Sequence, residues 1–466
     1  MPFEALARRE SSGSLRGIHE CMNTIRLHYP PADLPSSIFN PDIESIVRKA
    51  EIKSAHVLTL WSKTLAMSLV LFASSLPAAA AGQIQPSIPD SDAAILEHLP
   101  STSDPRVRRF DALKRQIQSR PGDVNRAVAL AQAYLDYGRD TGDARYLGRA
   151  EAVIAPWTAK RPASSGALVV EATILQSRHQ FAESRKILES VLQRDSNNTQ
   201  AWLTLSSVAL VQGDLQSGRK ACGHLIFSAG AMVTAGCIAS WAAVTGNAKS
   251  ALASLEAIMQ REPNQPPALQ SWAHGLMADA AKYLGDTRRA DEEFRKALQF
   301  APGDNFLLAD YGDFLLDHDR AREALELTRG YSQSDTSFLR QVLAESALKL
   351  PSASRNVQLM ASRFRDLEQR GDSGLYGREE ARFVLELQHD PKRALKLAQD
   401  NWKIQHAPED IRIYLEAALA AGEPGSAQVV LDFLKITHLQ DPKVRALAAQ
   451  VASQLDARQP AARPSH

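Results

Sequence analysis

A turn signal recurs along this chain at intervals that suit a row of stacked helix pairs. Gly213-Asp214, Gly246-Asn247 and Gly285-Asp286 stand 33 to 39 residues apart, each between two apolar stretches of helical period. A small residue follows each pair, and a bulkier one comes four places later: Gly218 and Cys222, Ala251 and Leu255, Ala290 and Phe294. Pro263 and Pro302 close two of these units. Residues four apart lie on one helix face, so small residues admit a neighbouring backbone and the bulky one fills the space beside it. Gly accepts the left-handed turn conformation and Asp caps the helix that follows. One such pair cannot bury its own apolar face, and stacking in a row provides the missing partner.

The best unit spans residues 271–304, with Ala278, Ala290, Phe294, Ala297 and Pro302. Further units carry Trp202, Leu205, Ser206, Gly218 and Cys222; Ile238, Ala242, Ala251 and Leu255; Ala172, Leu175, Ser184 and Leu188; and Tyr311, Gly312, Leu315 and Ala324. Weaker ones lie around Ala394 and around Tyr414, Ala427 and Leu431, and a first unit with Leu130, Ala131 and Tyr134 has a longer turn over residues 138–143. Over residues 121–440 the pattern resembles the tetratricopeptide repeat family. The resemblance implies an all-α, right-handed superhelical solenoid of antiparallel helix pairs, closed by a C-terminal capping helix starting at Asp441-Pro442. The repeat domain is expected over residues 105–457. Residues 332–377 lose the period, with Pro351 and the turn Gly371-Asp372-Ser373-Gly374 interrupting, so a bend or a change of pairing is expected there.

The N-terminal region has a different character. Leu65 to Leu76 holds twelve residues without a charge, preceded by Lys53 and Lys63 and followed by Pro77 and Ala78 to Ala81. That is the layout of a secretory signal peptide, with small residues at the cleavage position, and it is short for a membrane span. Residues 65–81 are therefore expected to be the signal segment and residues 1–64 a leader, either upstream of the true start (Met22 or Met67) or disordered. Residues 82–104 are expected to form a linker and residues 458–466 a disordered tail. Export leaves a protein with no stable transmembrane anchor. A genuine N-terminus would instead give a cytosolic adaptor.

Chemistry is sparse. Lys plus Arg total 54 against 53 Asp plus Glu, giving no reason to expect a nucleic-acid partner. Ser373 sits in a four-letter match to a serine-protease loop, but no β-barrel context accompanies it, and a polar turn is the simpler reading. A Ser373 hydrolase and a lipid or small-molecule carrier are the minor alternatives to a non-catalytic role. Neither catalytic nor cofactor-binding residues are expected. Cys222, His224 and Cys237 lack a fourth ligand and a zinc-module spacing, so no metal is expected. By the repeat register, Cys222 and Cys237 lie on helices that pack side by side. A disulfide between them is the favoured reading if the chain is exported, and two buried thiols the other.

In tetratricopeptide proteins the first helices of the pairs line a concave groove that commonly binds an extended peptide or a partner helix. The resemblance places Trp272, Asp279, Lys282, Tyr283, Phe306 and Asp313 in that groove. Asp279 and Asp313 lean towards a basic or amide-rich peptide. Leu203, Ser207, Gly236 and Ser240 occupy the positions where one family variant clamps a terminal carboxylate with Lys and Asn, so that mode is not supported. The expected role is a protein–protein interaction scaffold in the bacterial cell envelope, docking a polypeptide of unknown identity.

Overall fold

The computed structural model describes residues 101, 103–160, 162–370 and 376–458. The expected leader and signal segment lie outside the described residues, as do most of the linker and tail and the 371–375 turn that contains Ser373. Every regular element among the described residues is helical.

Helix α1 (Pro105–Ser119) leads into nine antiparallel pairs. These are α2 (Val124–Thr141) with α3 (Arg145–Thr158), α4 (Ser165–Ser177) with α5 (Phe181–Arg194), and α6 (Thr199–Val211) with α7 (Leu215–Ser228). Next come α8 (Ala231–Ala242) with α9 (Ala248–Arg261), α10 (Pro267–Leu284) with α11 (Thr287–Phe300), and α12 (Asn305–Leu316) with α13 (Ala321–Thr328). The last are α14 (Asp335–Ala347) with α15 (Ala353–Gln369), α16 (Gly377–Glu386) with α17 (Pro391–Trp402), and α18 (Pro408–Ala420) with α19 (Gln428–Thr437). Helix α20 (Pro442–Arg458) follows and packs on α18. The described residues form an all-α solenoid of stacked helix pairs.

Local chemistry sets the helix ends. At Gly213 and Gly285 the backbone is left-handed (φ 71° and 73°), and the next residue caps the following helix. Asp214 accepts from the Ser217 N–H at 3.0 Å, and Asp286 from the Arg289 N–H at 3.0 Å. Buried small residues then let the helices approach: Ala278, Ala290 and Ala297 have no exposed surface. Phe294, four places after Ala290, fills the gap towards the next unit and stacks on Tyr311 with centroids 5.1 Å apart. Most first helices of successive pairs pack on one another, whereas second helices pack mainly on the first helices beside them, so the first helices form the inner wall.

Two regions differ from the sequence pattern. The 332–377 stretch carries a pair, α14 and α15, and α14 packs on both α12 and α16. Helix α15, however, approaches α16 less closely than other second helices approach the next first helix, and meets it through Phe364 and Phe383. Its turn lacks glycine, and Lys349 takes the left-handed conformation instead (φ 54°). His179, Asp319 and His389 do the same in other pairs. In the first pair, α2 continues through Gly138 to Thr141, so the turn is shorter than the sequence suggests. A Cβ at Gly138 would lie 3.0 Å from the Tyr146 Cβ, and this close approach lets the two helices cross.

Candidate functional site

The inner wall changes character along the array. The first helices α4, α6 and α8 present mostly Ala, Val, Leu, Ser and Thr; Glu171 is their one charged residue. From α10 onward every first helix except α14 carries charges three or four residues apart, as in Asp279/Lys282, Asp310/Asp313, Glu379/Arg382 and Arg412/Glu416. That spacing puts each set on a single helix face.

These charges meet across the wall. Asp313 receives both nitrogens of the Arg340 fork, at 2.9 and 2.7 Å, and is also paired with Arg382. Arg340 is 4% exposed. Burial alone would raise the Asp313 pKa, but Arg340 and Arg382 outweigh it and hold the carboxyl well below the usual carboxylate range. Asp317, at the end of α12, takes a second bidentate fork from Arg412 on α18 (2.7 and 2.9 Å) and a contact from Lys443 on α20. Arg378 pairs with Glu379 at 2.9 Å. A cleft of about 370 Å³, mouth included, opens among these groups, with Ile413 in its lining.

The upper end of the charged wall is less balanced. Lys282 pairs with Asp279 at 3.0 Å. Asp310, Glu409 and Asp441 share that neighbourhood, and their fields act on Lys282, on Tyr283 or on each other. Burial, then the charges of Asp279 and Glu409, push the Asp310 carboxyl up to about 7 against the pull of Lys282. Burial and the same carboxylates keep the Tyr283 phenol neutral well above its ordinary range. Four carboxyl groups therefore gather about Lys282, with Glu409 also acting on Arg378, and a cationic group placed beside Asp279 and Asp310 meets a field that favours it.

The expected groove residues divide accordingly. Asp279, Lys282 and Tyr283 lie together at this end, and Asp313 sits in the wall already locked between two arginines. Trp272 packs between units: its ring fills the space where a Cβ on Gly236 would sit, 2.4 Å from the nearest ring carbons. Phe306 is 65% exposed at the start of α12. Arg340, Arg382, Arg412, Asp317 and Glu409 went unnoticed in the sequence. The available signal was a charge pair on one face of α12, α16 and α18; Arg340 on α14 has no charge three or four residues away.

Cys222 on α7 and Cys237 on α8 are joined in a disulfide, with Cα atoms 5.5 Å apart. The Ser206 hydroxyl lies 3.2 and 3.4 Å from the two sulfurs. Among the described residues no group of three or more His, Cys, Asp or Glu side chains is arranged to hold a metal ion. No helix among them is long and apolar enough to cross a membrane.

No protein-family model matches the chain, and no curated protein matches it. Solved structures similar to it include a human IFIT1 dimer with m7Gppp-AAAA, at 13% identity and TM-score 0.41, covering 76% of this chain and 87% of that one. They also include Pseudomonas aeruginosa PilF (18%, TM-score 0.28, 47% and 97%) and PilW, described as a widely conserved type IV pilus biogenesis factor (17%, TM-score 0.27, 46% and 97%).

Proposed function

We propose that this protein is a non-catalytic interaction scaffold of the bacterial cell envelope that docks a basic polypeptide segment against the inner wall. The observation that carries the reading is the gathering of Asp279, Asp310, Glu409 and Asp441 about Lys282, with Glu409 also facing Arg378. A lysine or arginine side chain of the partner supplies a cation beside Asp279 and Asp310. Phe306 offers an apolar anchor beside the wall, the pairing of aromatic and charged groups common at interface hot spots. Trp272 shapes the wall from behind, through its packing on Gly236.

Export is part of the same proposal. It rests on the apolar run Leu65 to Leu76 with its basic and small-residue flanks, and on a disulfide suited to an oxidising compartment. N-terminal sequencing of the native protein tests it: a start near Gly82 is the expected result, and a start at Met1 or Pro2 sinks it.

Docking is tested by titrating the purified protein with a short Lys/Arg-rich peptide and its Glu-rich counterpart. The basic peptide should bind and the acidic one should not. Asp310→Asn combined with Glu409→Gln should weaken binding by roughly tenfold, a loss of about 1.4 kcal/mol. Because ionised Asp310 favours a cation and its pKa lies at about 7, affinity should rise as pH increases through neutrality. Equal affinity for both peptides, or no response to the double variant, defeats the reading.

A further inference from the structure

Beyond the packing of neighbouring pairs, a second set of contacts joins residues far apart in the chain. The His406 N–H donates to the Val211 carbonyl at 2.8 Å, and its ring Nδ1–H donates to the Gln212 carbonyl at 2.8 Å. The Gln440 N–H donates to the Val244 carbonyl at 2.9 Å, and the Asn305 amide to the Arg139 carbonyl at 2.7 Å. Each acceptor lies at or near the carboxyl end of a first helix in one of the four leading pairs. Those carbonyls have few or no partners within their own helix and carry the negative end of its dipole. Each donor lies at the entrance to a later first helix or to α20. One edge of the leading pairs thus meets the opposite edge of the later ones.

The turns on the leading side are shaped for this. Gly142, Gly213 and Gly246 have left-handed backbones, and a Cβ on them would come 2.6 Å from Ser334, 2.5 Å from Phe433 and 2.9 Å from Gln440. Gly285 and Gly422 have the same backbone conformation with nothing within 4 Å. Lack of a side chain at the first three serves the contact as well as the turn. Yet the buried apolar clusters stay on one side or the other: one runs from Phe338 to Val451, others from Phe110 to Ile174 and from Val169 to Val208. The contact consists of a few hydrogen bonds, an approach of the Gln405 amide to His179 Nδ1 at 3.2 Å, and the Phe433 ring, which stacks on His406 within the later side and lies against Gly213.

We propose that this seam is a clasp. It closes the later pairs onto the leading ones and shuts the lateral entrance to the inner wall. It can part while the helix pairs on both sides keep their cores. The clasp does not depend on what the wall binds.

The test uses the full chain and hydrogen exchange resolved to short peptides. Gly213→Asn and Gly246→Asn place a side chain in the seam, and Gly285→Asn imposes the same backbone cost away from it. Exchange at the His406 and Gln440 amides should be at least tenfold faster in the two seam variants, with α5 and α15 unchanged and the control like the wild type. Phe433→Ala, which leaves the turn intact, should also speed exchange at His406. Acetylation of Lys282 by acetic anhydride should be at least threefold faster in each seam variant. Seam amides that keep wild-type rates overturn the clasp. So does their loss of protection together with the helix interiors, or a Lys282 reactivity that is the same in all variants.

Discussion

The leading and later pairs share one architecture but hold their inner walls together differently. In α4, α6 and α8 the wall is made of small and apolar side chains, and a disulfide fastens α7 to α8. In α12 to α18 arginine forks bind Asp313 and Asp317 across several units. Apolar contacts are non-directional and tolerate exchange. A buried ion pair contributes little over an apolar pair of the same shape, but removing one partner strands a charge and is strongly destabilising. The later half is therefore the more brittle one, and it holds its carboxylates at fixed positions.

That difference can be broken deliberately. The largest effect is expected from Asp313→Ala, which leaves Arg340 buried with only the longer Glu379 pair at 3.7 Å to oppose its charge. Stability should fall by about 3 to 5 kcal/mol, and urea unfolding followed by exchange should show α12 to α18 opening before α2 to α7. A uniform loss along the chain would show that the two halves are not distinct. On the leading side, Cys222→Ser with Cys237→Ser removes the cross-link. The expected cost is about 3 kcal/mol, with the loss of protection centred on α6 to α9.

A pH series sharpens the contrast. Asp313 has a lowered pKa, so its contribution is present above the unfolded value of 3.8 and is lost as pH falls below it. Asp310 is raised to about 7, so its contribution is full below pH 3.8 and is lost as pH rises through neutrality. Asp310→Asn should thus stabilise the protein at alkaline pH by an amount on the order of 2 kcal/mol and leave it unchanged in acid. Thermal melts at the two pH values check this. A shift of the same size at both would refute the assignment. The smallest effect belongs to the turn between α14 and α15. Lys349→Gly relieves a left-handed non-glycine residue and should stabilise by about 1 kcal/mol, measured as a rise in melting temperature.

The same contrast explains what could be read from sequence. Pairs whose turns use Gly213, Gly246 or Gly285 are visible because the turn chemistry and the Ala290/Phe294-type spacing coincide. The α14–α15 pair was obscured because Lys349 occupies the position where glycine is usual, at a cost that tertiary packing offsets. Asp279, Lys282 and Tyr283 can be placed together from sequence because all three belong to one helix. The partners of Asp313 and Asp317 were not. Arg382 stands 69 residues from Asp313, and Arg412 stands 95 from Asp317. No local pattern encodes which late arginine the solenoid returns to which aspartate. Trp272, which register alone leaves open between the groove and packing between units, has its ring against the bare backbone at Gly236.

The most direct test is a double-mutant cycle on Asp317 and Arg412, using Asp317→Asn, Arg412→Met and the pair, followed by urea unfolding. A charged inner wall joined across three units should give a coupling energy of about 1 to 3 kcal/mol. Additive single effects would mean that the late first helices do not meet there, and both the wall and the docking role assigned to it would fall.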